Sequence, residues 1–164
     1  MAMDMFIKFT PDIPGESQDK EKATIGDIEV LAWSWGMSQS GTFHTGGGGG
    51  AGKVNVQDLS LTKYFDNASG TLQQNCMVGK HLTKAVLSVR KAGGSPYVYI
   101  KITMEDVLVS SISTGGSGGE DRLTENVTLN FGKVHVQYFK QSDADGSVTD
   151  GTEAKYDMQQ NATW

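Results

Sequence analysis

The sequence predicts a mainly β fold: a β-barrel of two packed antiparallel sheets, with one short flanking α-helix and a long extended loop. Three observations predict it. Glycine and β-branched residues punctuate short alternating segments along the whole chain, and only three prolines occur in 164 residues. The longest segments switch the parity of their apolar positions midway, as bent barrel strands do. One stretch alone carries helix start and stop signals.

Taken in order, strands are expected at Met5 to Phe9, Ile28 to Trp35, Val54 to Leu61, Ala85 to Lys91, Tyr97 to Ser111 and Glu125 to Phe139, with a weaker one at Ala154 to Gln159. Between Tyr97 and Ser111, Val98, Ile100, Ile102 and Met104 share one parity, and Val107 and Val109 take the other. Val127, Leu129 and Phe131 give way in the same manner to Val134, Val136 and Tyr138, and Val54 and Val56 to Leu59 and Leu61. Side chains alternate along a strand, so an inserted residue, a β-bulge, would keep each set on one face. The alternative is two shorter strands joined by a loop.

Ile28 to Trp35 is apolar on both parities: Ile28, Val30 and Ala32 on one, Leu31, Trp33 and Trp35 on the other. The second face is expected to be covered either by the helix or by a neighbouring subunit, since tryptophan is a frequent interface anchor. The helix is expected within Asp66 to Gly79, with Ser69 as N-cap, Leu72, Cys76 and Met77 as its apolar stripe and Gly79 as its stop.

Several patterns imitate catalytic or binding motifs. Gly47 to Lys53 fits the opening of a phosphate-binding loop, but Val54 stands where a hydroxyl should be and a strand pattern follows instead of a helix. Asp143 to Ser147 resembles the start of a calcium loop, with Val148 and Ala154 at the positions that need Gly and Glu. His44, His81 and His135 are scattered, and Cys76 with His81 is one pair where zinc needs three or four ligands. No nucleophile motif is present, so no catalytic residue, metal or cofactor is expected.

A net charge of -5 gives no broad positive field, so nucleic acid is not an expected partner. The lone Cys76 allows no internal disulfide and reads as a small core residue. The start has no basic n-region, and no apolar run approaches the roughly 20 residues that span a bilayer. Synthesis as a soluble cytoplasmic chain is expected, with any export using another route than a cleaved signal.

Two glycine-rich segments, Ser40 to Gly52 and Ser113 to Gly119, interrupt strand-like sequence and read as loops within one domain. Gly41, Thr42, Phe43, His44, Thr45, Gly46 and Gly47 place an aromatic ring and a histidine in the first, which suggests an arm that docks on another surface.

Ile28 to Gly41, Gly46 to Leu59, and Val107 to Ser111 through Glu120 to Val127 together resemble the haemolysin-coregulated protein (Hcp) family. Shorter echoes at Gly15-Glu16-Ser17, Gly79-Lys80-His81 and Arg90 to Gly94 fall in the same order, and the similarity runs from about Met5 to Tyr138, thinning past Lys140. The resemblance implies a barrel with a flanking helix, spanning residues 1–164 as one domain, that assembles as a homohexameric ring. Rings would stack into a hollow tube within a contractile sheath, tipped by a spike protein above a baseplate, and small secreted effectors would travel in the lumen.

It further implies that Gly41 to Gly47 take part in contacts between subunits, chiefly at the stacking face. Thr114 and Ser117 would lie toward the lumen. Export by sheath contraction would place the protein first in the bacterial cytoplasm and then outside, without a signal peptide and without membrane insertion. A fused hydrolase domain after the barrel is not expected. A monomeric ligand-binding barrel is the other reading that the β pattern supports.

Overall fold

In the computed structural model, residues 3–19, 26–45, 50–91, 96–142 and 146–164 are described. The elements are β1 (Met3–Thr10), β2 (Ile28–Glu29), β3 (Ala32–Ser34), β4 (Met37–Gly41), a 3-10 turn (Phe43–Thr45), β5 (Ala51–Val56), β6 (Leu59–Tyr64), α1 (Ser69–Val78), β7 (His81–Lys91), β8 (Tyr97–Thr114), β9 (Thr124–Gln141) and β10 (Val148–Asp157). Eight strands form one antiparallel sheet in the order β2-β1-β7-β8-β9-β6-β3, with β10 added on β9, and β4 pairs β5 in a small second sheet.

The large sheet curls until one segment borders both of its ends. β2 pairs β1 and β3 pairs β6, while Val30 N donates to Met5 O and Leu31 N to Thr62 O. The single strand expected at Ile28 to Trp35 is therefore two short ones. A change of partner between Val30 and Leu31 moves the inward set from Ile28 and Val30 to Trp33 and Trp35, which pack against the same core. Ala32, expected to share a face with Val30, is exposed.

The parity switches in the long strands have a shared cause. Leu82, Val107 and Phe131 form one buried row across β7, β8 and β9, and Ala85, Met104 and Val134 form the next. In each strand the two rows lie three residues apart. The register passes through unshifted, with Lys84 opposite Glu105 and Glu105 opposite Lys133. No single strand gains an inserted residue at this point, contrary to the bulge expected; the three strands crease together. The register slips lie elsewhere, at Val89/Arg90, Val109/Ser111 and Asp150/Glu153.

At the crease Asp106 has φ 55, a left-handed conformation that aspartate tolerates better than most residues. Opposite it, a Cβ on Gly132 would lie 3.2 Å from Asp106 Cβ and 3.2 Å from Gln159 Nε2, so the close approach of β8 to β9 favours glycine. The crease also divides β9. β6 pairs its Thr124 to Leu129 stretch, and β10 pairs Lys133 to Gln141.

Val54 to Leu61 is broken as well, and here the two-strand alternative is the one observed. Val54 and Val56 lie on β5 in the small sheet, and Leu59 and Leu61 lie on β6 in the large one. β10 is longer than the expected Ala154 to Gln159, and a turn follows it, fastened by Asp157 Oδ1 accepting from Gln159 N and Gln160 N. Trp164 lies 6.0 Å from the His135 ring, with Lys133 and Lys155 each 5.3 Å from its centroid.

Helix α1 packs Ala68 and Leu72 into the core beside β8, with half-buried Cys76 against it. Gly79 ends it at φ 64, its N–H returning to Asn75 O. The expected cap is corrected: the N-cap is Ala68, and no side chain caps it. Ser69 instead joins a buried polar knot. Lys63 Nζ lies 2.5 Å from Glu125 Oε1, 3.0 Å from Asp66 Oδ1 and 3.1 Å from Ser69 Oγ, and Ser69 Oγ donates to Glu125 Oε1 at 2.7 Å. Lys63 and Glu125 are fully buried. Met77 is 78% exposed, so it belongs to the outer face and not to the stripe.

Candidate assembly surface

The segment expected as a structureless loop from Ser40 to Gly52 is entered at both ends by the strands of a hairpin. β4 and β5 pair Met37 with Val56, Ser38 with Asn55, Gln39 with Val54 and Gly41 with Ala51. Its base is clamped where Trp35 Nε1 donates to Gln57 O at 2.8 Å and Gln57 N to Gly36 O at 2.9 Å. Near the tip, Thr42 Oγ1 both accepts from Gly50 N and donates to Gly50 O. Sequence reasoning missed β4 because every one of its residues is exposed, so no buried side gives it an alternating pattern.

Thr42, Phe43 and His44 are exposed at the tip, and Phe43 reaches 80%. Thr45 ends the 3-10 turn, and Gly46 and Gly47 lie outside the described residues. A two-stranded hairpin is marginal by itself in water, and an aromatic ring at its tip gains nothing from solvent. Such an arm is suited to contact with a second surface.

Two clefts adjoin the hairpin. One, of about 380 Å³, is almost wholly apolar, with Trp35, Met37, Val54 and Val56 on one side and Val134, Val136, Ala154 and Tyr156 on the other. Met37 is 55% exposed, and the Trp35 ring lies 6.1 Å from Phe131. The other, of about 610 Å³, lies where β6 and β10 part on β9 and is of mixed polarity, bringing Lys53, Asp58, His81, Asp106 and Asn130 together beside Leu108 and Phe131. There Asp58 accepts from Ser110 Oγ at 2.7 Å and from Asn130 Nδ2 at 2.8 Å. Neither cleft was legible beforehand.

Trp33 and Trp35 are half-buried against the core, and Trp35 reaches on into the apolar cleft. Thr114 ends β8 opposite Glu125, and Ser117 is exposed in the following loop, accepting from Glu120 N. Leu123 and Phe65 are exposed at 43% and 52% near the foot of that loop, joined by a hydrogen bond from Phe65 N to Leu123 O. The Arg122 guanidinium stacks 3.7 Å from the Tyr64 ring centroid. The hairpin-tip residues and the Thr114/Ser117 pair thus belong to different segments of exposed surface.

Of the residues that resembled catalytic motifs, Lys53 and His81 line the same cleft, and His44 and His135 lie apart from it. Lys53 lies on β5, and α1, the first helix after it, begins only at Ser69. His44 is at the hairpin tip, His81 opens β7, and His135 on β9 meets Glu153 at 2.8 Å. That hydrogen bond holds the Glu153 carboxyl below its ordinary range. Among the described residues no group of three His, Cys, Asp or Glu is placed to hold a metal ion, and Asp143 to Asp145 lie outside them. No helix among the described residues is long and apolar enough to cross a membrane.

Residues 6–138 match the family described as type VI secretion system effector, Hcp. The chain belongs to the Hcp family. An Hcp relative, protein hcp1 of Pseudomonas aeruginosa, is 61% identical over 157 residues, covering 95% of this chain and 94% of that one. The Hcp1 crystal structure from Salmonella typhimurium superposes with TM-score 0.78 at 36% identity over the whole of both chains. A structure titled as a type six secretion system protein reaches TM-score 0.90 at 27% identity, covering 99% of this chain and all of that one. The family match at residues 6–138 begins within β1 and ends within β9, before β10.

Proposed function

We propose that this Hcp protein is a structural subunit, folded as one domain over residues 1–164, that forms homohexameric rings stacking into the hollow tube of type VI secretion. The observation that carries the reading is the solitary β4–β5 hairpin, with Phe43 80% exposed at its tip and an open apolar cleft at its base. A head-to-tail contact of that kind closes into rings or runs on into filaments, according to the rotation it imposes. Gly41 to Gly47 take the stacking role, Trp33 and Trp35 brace the surface next to it, and Thr114 and Ser117 face effectors in the lumen.

In this reading contractile sheath proteins drive the tube out, together with a spike protein and from a baseplate. The chain passes from the bacterial cytoplasm to the outside with the tube. It performs no catalysis. Family membership and the packed barrel interior support this above a monomeric ligand-binding barrel, because Ile7, Phe9, Leu59, Leu87, Ile102 and Leu129 fill the space such a barrel would keep open.

Native mass spectrometry at micromolar concentration tests it, with ring-sized particles as the expected outcome; a strict monomer there refutes it. Replacing Phe43 and His44 together by Gly is expected to weaken stacking and leave rings intact, as judged by negative-stain electron microscopy. Unchanged tubes would remove the stacking role of the loop.

A further inference from the structure

We propose that Met37 is an oxidation site: a peroxide converts its thioether to the sulfoxide in the free chain, and a chain so modified is shut out of the assembly. The inference rests on the self-assembly reading above and adds a chemical control to it.

The methionines among the described residues differ in what surrounds the sulfur. Met104 is fully buried, and Met5 and Met158 are half-buried. Met3 is exposed, but its Sδ accepts a hydrogen bond from Tyr99 Oη at 2.9 Å, which engages a lone pair. Met37 and Met77 are exposed without such a bond. Oxidation of methionine needs that free lone pair. The Met37 sulfur attacks one oxygen of a hydroperoxide, and an S–O bond forms as the O–O bond breaks. The sulfide gives up two electrons, and the leaving oxygen takes the proton and departs as water or an alcohol.

The two open sites differ in consequence. Met77 belongs to the outer face of α1, whereas Met37 lines the apolar cleft with Trp35, Val54, Val56, Val136 and Ala154. A sulfoxide oxygen is a hydrogen-bond acceptor, and the side-chain donors around this cleft are engaged elsewhere. Trp35 Nε1 donates to Gln57 O and Tyr156 Oη to Asn161 Oδ1, and Lys155 Nζ lies over the Trp164 ring. Water satisfies the new oxygen while the cleft is open. When a second copy covers this face the water is lost and the acceptor is stranded, which weakens each such contact by about tenfold. A contact repeated across an assembly compounds that loss. The exclusion also runs the other way: a covered cleft keeps peroxide out, so chains already assembled hold Met37 reduced.

The test treats the full chain with hydrogen peroxide to partial oxidation, lets it assemble, and separates assembled from unassembled chains by sedimentation. Mass spectrometry of digested fractions then maps the added oxygen. Sulfoxide should arise at Met37 and Met77 before Met3, Met5, Met104 or Met158. At Met37 it should be depleted at least about tenfold in the assembled fraction, and at Met77 it should be spread evenly. Methionine sulfoxide reductase with a thiol reductant should return the excluded chains to the assembled fraction. Met37→Gln, which sets an amide oxygen near the place of the sulfoxide, should lower assembly without peroxide. Met37→Leu, scored against its own untreated sample, should lose nothing to peroxide. Sulfoxide at Met37 divided evenly between the fractions, or oxidation of Met37 no sooner than that of Met104, overturns the switch and leaves self-assembly standing. An untreated sample holding only monomers overturns both.

Discussion

At the scale of single residues, the Lys63–Glu125 pair is the costliest feature to disturb. Both side chains are fully buried, and Glu125 Oε2 has no hydrogen-bond partner among the described residues. Removing one partner leaves a buried charge uncompensated, so Lys63→Met should lose ~3–5 kcal/mol. Urea midpoints at constant slope measure it, and adding Glu125→Leu should recover much of the loss. Asp27 offers a test through pH. Burial raises its carboxyl above the ordinary value of 3.8, against a smaller opposing pull from Lys8. A raised carboxyl costs stability when ionised and nothing when protonated in both states, so the cost is present above its folded value and vanishes as pH falls below 3.8. Asp27→Asn should therefore melt higher than the parent at pH 7, by under about 1 kcal/mol because solvent screens the site. The gain should close in acid. Neither effect was legible from the letters: nothing local to Lys63 shows that Glu125, on another strand, lies opposite it, and Lys63 fell outside every expected strand.

Among elements, the sequence signalled the crease but not its mechanism. The shift from Met104 to Val107 and from Phe131 to Val134 was visible as a change of parity, whereas its sharing by three aligned strands depends on register, which only the fold supplies. Asp106→Val should cost roughly 1–3 kcal/mol, since a β-branched residue fits φ 55 poorly, and Asp106→Gly should stay within about 1 kcal/mol of the parent. Thermal melts of the two compare them. The helix was legible at its end, where Gly79 stops it at φ 64, and misread at its start, because Ser69 spends its hydroxyl on Lys63 and Glu125. β4 escaped notice for want of any buried side, and the hairpin it forms is the element on which the assembly surface depends.

For the whole molecule, the barrel and the family were both readable, because buried alternation and the order of the motifs survive in a single sequence. The clefts were not, since they arise between the hairpin and β10, segments about 100 positions apart that no local pattern connects. Stacking through an arm that carries no carboxylate, lysine or arginine from Ser38 to His44 should tolerate salt: rings and stacks examined by electron microscopy are expected to persist from low salt to ~1 M, where screening shortens the Debye length to about 3 Å. Dispersal by salt would point to ion pairs at the interface instead. The concerted fold line across β7, β8 and β9 also limits how this chain can change length. One residue added to any of these strands near Thr83, Asp106 or Gly132 would turn that strand inside out on one side of the line while its neighbours kept their sense. A scan of single-residue insertions should therefore find a silent band crossing three distant stretches of sequence at one height. Growth and shrinkage would be confined to the arm and the connecting loops, the parts that meet other molecules.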